Sequence, residues 1–190
     1  MRRALSSLLV VLACLAAPAI ADDIEISAAQ LVAGDEGIVL EADFDFDLTS
    51  RLEDALAKGV PLYFVVEFEC FRPRWYWLDE RVGAATRSTR LSFHALTRTY
   101  RLSTGALHQS FPTLAEALRT LGRVRAWQVL QKDALRPDTV YSAYVRMRLD
   151  TTQLPKPFQV SALANREWNL ASQWKRWDVN GNIVQAEAAR

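Results

Sequence analysis

Histidine and cysteine are nearly missing from this chain, with two of each among 190 residues. Zinc sites draw on clusters of these side chains at close spacing, whereas His94 and His108 stand fourteen positions apart and Cys70 lies far upstream of both. A histidine–cysteine metal centre is thereby excluded, and no cofactor is expected. No Gly-x-Ser-x-Gly elbow occurs, and Cys70 sits in an apolar alternation that turns its thiol toward a core, where it is inert. An excess of charge of either sign is also missing: the formal net charge is +1. Near-neutrality removes the electrostatic case for nucleic acid as a partner. Glycine and proline number only seven each, and no repeat or low-complexity stretch marks a boundary between domains.

What is present begins with Arg2 and Arg3, an apolar run from Ala4 to Ile20, and Ala19-Ile20-Ala21 before Asp22. This pattern predicts a cleavable signal peptide over 1–21, its apolar run too short and too closely followed by a processing site for a membrane span. Val11-Leu12-Ala13-Cys14 offers an alternative lipoprotein cleavage box, disfavoured because Leu12 fits it poorly and the apolar run continues past the cysteine. Cleavage after Ala21 leaves 169 residues with 21 basic and 22 acidic side chains, a net charge of −1. The expected product is exported, has no transmembrane segment, and holds one cysteine, so it cannot form an internal disulfide. Its fold must rest on a core, with 22–182 read as one domain and 183–190 as a flexible tail.

Alternation with period two dominates. Ile38, Leu40, Ala42, Phe44 and Phe46 form one face of a strand that follows a Gly34–Gly37 turn, and Leu62, Phe64, Val66, Phe68 and Cys70 form one face of another. Two short helices are expected, one opened by Ser50-x-x-Glu53 and ended near Gly59, the other opened by Thr113-x-x-Glu116 and ended by Gly122. A long strand is read over 89–102 with a bulge near Ala95, because the apolar phase changes there. Further strands are expected over 124–130 and from Val140, and Leu154-Pro-Lys-Pro-Phe158 is expected to be extended. Leu135-Arg-Pro-Asp-Thr-Val-Tyr141 resembles the tyrosine corner of immunoglobulin-like and fibronectin type III sandwiches. The fold class is therefore mainly β, an antiparallel sandwich of that kind with two short helical insertions. In such a sandwich Glu67 and Glu69 should face Arg146 and Arg148 across neighbouring strands.

Candidate chemistry is sparse. Asp43-Phe-Asp45-Phe-Asp47 alternates oxygen ligands as a calcium loop does, but Leu48 and Asp54 stand where glycine and glutamate belong. The remaining signal is aromatic: Trp75, Tyr76 and Trp77 are framed by Arg74, Asp79 and Glu80, and Trp168, Trp174 and Trp177 follow near the carboxyl end. Tryptophan and arginine dominate interface hot spots, so these residues are candidates for a groove that takes an envelope protein, a peptide or a glycan. The competing reading is that the tryptophans fill the ends of the sandwich. An alternative activity is hydrolysis of envelope glycans or peptides through Asp79 and Glu80, with the aromatics as platform. That chemistry requires one carboxyl with a raised pKa.

Arg74-Trp-Tyr-Trp77, Asp79-Glu80, Tyr100-Arg-Leu-Ser103, Phe111-Pro-Thr-Leu114 and Leu149 to Phe158, ahead of Trp168, together carry a family resemblance. The chain resembles the exported Gram-negative bacterial proteins grouped as domain-of-unknown-function family 4390. The resemblance implies a periplasmic location and proximity to a membrane sensor kinase, and it implies no catalytic residue.

Overall fold

A computed structural model describes residues 24–76 and 78–184. The signal-peptide segment, Cys14, Trp77 and residues 185–190 of the tail lie outside the described residues.

β1 (Glu25–Ala33) and β2 (Gly37–Asp45) form a hairpin around the Gly34–Gly37 turn, and β7 (Arg123–Gln131) joins β2 to complete a sheet in the order β1-β2-β7. β3 (Leu62–Arg72), β4 (Glu80–His94), β5 (Thr99–Thr104), β6 (Leu107–Phe111), β8 (Val140–Leu149) and β9 (Lys175–Asn180) form a second, in the order β6-β5-β4-β3-β8-β9. All strand pairs are antiparallel. The inward alternation read from sequence is the one that packs: Ile38, Leu40, Ala42 and Phe44 from one sheet meet Leu62, Phe64, Val66, Phe68 and Cys70 from the other in a single core. The chain is a mainly β, antiparallel sandwich of the immunoglobulin and fibronectin type III kind. Its hallmark is the corner at β8. Tyr141 is 1% exposed, and its hydroxyl accepts a hydrogen bond from the Arg136 N–H at 2.8 Å. Gly181 closes over the same corner so tightly that any Cβ there would strike the Arg136 carbonyl.

Among the described residues three α-helices accompany the sheets: α1 (Ser50–Ala57), α2 (Leu114–Leu121) and α3 (Lys156–Ala164). Thr113 caps α2 by accepting from the Glu116 N–H, as its spacing predicts. α1 starts one residue earlier in its cap than expected, with Thr49 rather than Ser50 accepting from the Leu52 N–H. α3 replaces the expected extended segment at 154–158. Pro155 has the extended dihedrals of an N-cap, and Pro157 sits in the first turn, where a missing N–H costs nothing because that group has no helical acceptor. The two expected helices are thus joined by a third among the described residues.

The phase change near Ala95 is also not a bulge. β4 ends at His94 and a tight turn through Arg98, in the left-handed region at φ 53°, returns the chain as β5. A reversal changes the inward phase as effectively as an inserted residue does, and the apolar pattern alone does not separate the two.

The cross-strand pairing is as expected for Glu67 and differs for Glu69. Glu67 stands opposite Arg146, and both Arg146 and Arg148 donate to it, Arg148 Nη2 at 3.0 Å. Glu69 faces Tyr144 and reaches instead toward Arg81 of β4.

Candidate functional site

Trp75 and Trp168 stand at opposite ends of one strand. β3 carries the chain from α1 at its start to the 73–79 loop at its end, about 30 Å away at the usual strand rise. The loop exists because Pro73 cannot donate to a ladder and β4 resumes only at Glu80, with Arg72 and Glu80 facing each other across the pair.

In that loop Trp75 is 94% exposed, Tyr76 66% and Leu78 82%. Their rings and side chains stand in water, while the base of the loop is clamped. Arg72 and Arg74 both pair with Glu80, and the Arg74 N–H reaches Asp79 Oδ1 at 3.4 Å. The Trp75 and Tyr76 rings meet edge to face, with centroids 5.1 Å apart. Ring pairs of this geometry restrain each other. The result is a short aromatic tip on a charged, cross-braced stem.

Glu80 is held ionised: hydrogen bonds from Arg74, and then from Arg72, outweigh its desolvation and lower its pKa below the ordinary glutamate value. A general acid needs the opposite displacement. Asp79 is exposed beside it. The pair lacks the unlike environments that two-carboxylate hydrolysis requires.

The carboxyl-terminal tryptophans go elsewhere. Trp168, 3% exposed, packs on Phe158 with ring centroids 5.5 Å apart, in the short 3-10 helix Arg166–Trp168. That helix is tied to α1 by Thr49, which donates to the Glu167 carbonyl at 2.8 Å, and by the Arg51–Glu167 pair. Trp168 therefore closes the far end of the sandwich and lines no groove with Trp75. Trp177 lies in β9 opposite Ala143, which is itself opposite Cys70, so its ring turns to the inward side and packs half-buried on the core. Trp174 faces out, and the Arg146 guanidinium stacks on it at 4.5 Å from the ring centroid.

The sequence reading missed a strip that leads from Trp174 to the loop. On the outer face of β8 and β9, Arg176 lies over Tyr144, and Tyr144 meets Phe71 edge to face at 5.7 Å. Phe71 is the residue next to Arg72 at the base of the tip. The signal was available: Phe71, Tyr144, Arg146 and Arg148 share the outward phase of their strands with Glu67 and Glu69.

Cys70 is fully buried, and burial pushes its thiol pKa up to about 11, so it is neither nucleophile nor ligand at neutral pH. Among the described residues no group of three or more His, Cys, Asp and Glu is placed to hold a metal ion, and no helix is long and apolar enough to cross a membrane.

Comparison with known proteins gives one result. No curated protein and no solved structure matches the chain. The model of the domain of unknown function DUF4390 matches residues 21–178, which is most of the sequence, and the chain belongs to that family.

Proposed function

We propose that this protein is a non-catalytic binding module of the bacterial cell envelope, exported to the periplasm. Its contact surface is the tip formed by Arg74, Trp75, Tyr76 and Leu78. The observation that carries the reading is the exposure of Trp75 and Tyr76 on a stem that Arg72, Arg74 and Glu80 brace. Large aromatics are ordinarily well covered. Held in water by a rigid support, they offer area to a partner at low cost in side-chain freedom.

An envelope protein, such as the extracytoplasmic part of a sensor kinase, is the partner class favoured by a protruding tip. A concave platform would suit a glycan chain better. The hydrolase reading has no support from Glu80, which stays charged.

The test is in-cell photocrosslinking from a photoreactive residue placed at Tyr76, with the captured species identified in the wild-type background and in Trp75→Ala. A discrete adduct that Trp75→Ala removes, with unchanged thermal melting, supports the module. An adduct indifferent to Trp75, or a large fall in melting temperature, rejects it.

A further inference from the structure

The two sheets are unequal, and the surplus strands leave part of an inner face without an opposing sheet. β4, β5 and β6 extend beyond the three-stranded sheet; β7 and α1 touch β4, and α2 lies over β5 and β6. Between these elements is an open cavity of about 280 Å³. Its apolar lining comes from Phe64, Val66, Leu102, Leu121 and Val124, beside the polar Thr89, Thr104, His108 and Thr120. Two guanidiniums also line it, Arg87 from β4 and Arg123 from β7.

Arg87 is the anomaly. It stands directly opposite Val66, which is 5% exposed, so it projects from the core-facing side of the sheet. Among the described residues eight arginines are paired with carboxylates, and neither Arg87 nor Arg123 is one of them. Arg123, like the unpaired Arg90 and Arg101, is exposed, and Arg90 faces out, opposite Tyr63, so the half-buried one that turns inward is Arg87. Charges turned toward apolar surroundings are ordinarily compensated by a partner. Arg123 also lines the neighbouring cleft that contains Asp43 and Asp45, but Asp43 pairs with Arg125 instead. Two like charges over one apolar floor leave room for an anion with an apolar body.

We propose that this cavity binds a single-chain aliphatic carboxylate, a free medium-chain fatty acid. Its headgroup lies between Arg87 and Arg123, and its chain lies along Val66, Leu102 and Leu121. Guanidinium forks match carboxylates by paired, charge-assisted hydrogen bonds. The volume lies just below the range of ligand pockets, which run from roughly 300 to 1,000 Å³, and suits one short chain rather than a two-chain lipid. The site is separate from the aromatic tip, and it stands or falls independently of the partner proposed there.

The test is a titration of the whole exported chain, followed by backbone amide resonances. The probes are decanoate below its micelle concentration, decylammonium and inorganic phosphate. Decanoate is expected to shift Thr89, Leu102 and Leu121 saturably, and Arg87→Gln and Arg123→Gln are each expected to weaken it at least about tenfold, while Arg87→Lys retains most of the affinity. Arg123 is exposed, so its substitution keeps the test valid if Arg87→Gln fails to fold. Equal binding of decylammonium, the same shifts with phosphate alone, or decanoate affinity unchanged in both glutamine variants would overturn the assignment.

Discussion

Trp75 and Trp168 occupy segments of similar composition, each with an arginine and a glutamate within a few positions, and they meet opposite fates. Near Trp168, Arg51 and Glu167 tie α1 to the 3-10 helix, the ring lands on Phe158, and the end of the sandwich is shut. Near Trp75, Arg72, Arg74 and Glu80 tie the two ends of one loop to each other, and the ring is left in water. An ion pair between elements distant in the chain closes a fold, whereas the same pair across the base of one loop props up a protrusion. The difference lies in connectivity, not in residue type.

The comparison can be broken most forcefully at the packed end. Trp168→Ala should cost about 3–5 kcal/mol in chemical denaturation, the usual range for removing a large buried aromatic. Trp168→Phe should cost far less, because the buried indole N–H has no acceptor among the described residues and its loss forfeits no hydrogen bond. A phenylalanine variant as unstable as the alanine one would show that the orphan N–H has a partner.

Next in size is the corner that fixes β8. Tyr141→Phe should destabilise by about 1–3 kcal/mol, since it strands the Arg136 N–H. A smaller effect than that of a solvent-facing control tyrosine would mean that the corner is decorative.

Smaller again is the Arg146–Glu67–Arg148 ladder. Burial alone would raise the pKa of Glu67, but hydrogen bonds and charge from Arg146 and Arg148 outweigh it and hold the carboxyl below the ordinary glutamate value. A lowered folded-state pKa gives stability that is complete above the unfolded value and is lost as pH falls through the folded one. Denaturation midpoints should therefore drop below the ordinary glutamate range in the wild type, and Glu67→Gln should flatten part of that acid limb while costing about 1 kcal/mol at neutral pH. An unaltered acid limb would remove the ladder from the account.

Smallest is the effect at the tip. Trp75→Ala should change stability by no more than about 0.5 kcal/mol, as for other surface substitutions. The contrast with Trp168→Ala is the comparison expressed as a number.

Much of this architecture is legible in the sequence. Period-two alternation marked β2, β3 and β8, and the Leu135–Tyr141 spacing marked the corner, because inward phase and a loop-to-hydroxyl bond are local properties of sequence. The β4–β5 turn was misread as a bulge because both reverse the apolar phase. α3 was misread because Pro155 and Pro157 signal extension, and only the first-turn position of Pro157 makes the second compatible with a helix. The candidate site was legible as composition and not as place. Trp75 and Tyr76 were picked out together with Trp168, and nothing local distinguishes a tryptophan that closes an end from one that crowns a loop. Arg87 carried a readable sign that went unused: it shares the phase of Leu91 and Phe93, so it had to face inward once β4 was extended back to Glu80.

The claim that the two ends differ in kind is tested most directly by in-cell photocrosslinking from position 76, beside the same photoreactive residue at Asp54, which is exposed on α1 at the opposite end. The account predicts a discrete adduct from position 76 and none from position 54. The same adduct from both positions, or an adduct from 54 alone, would contradict it.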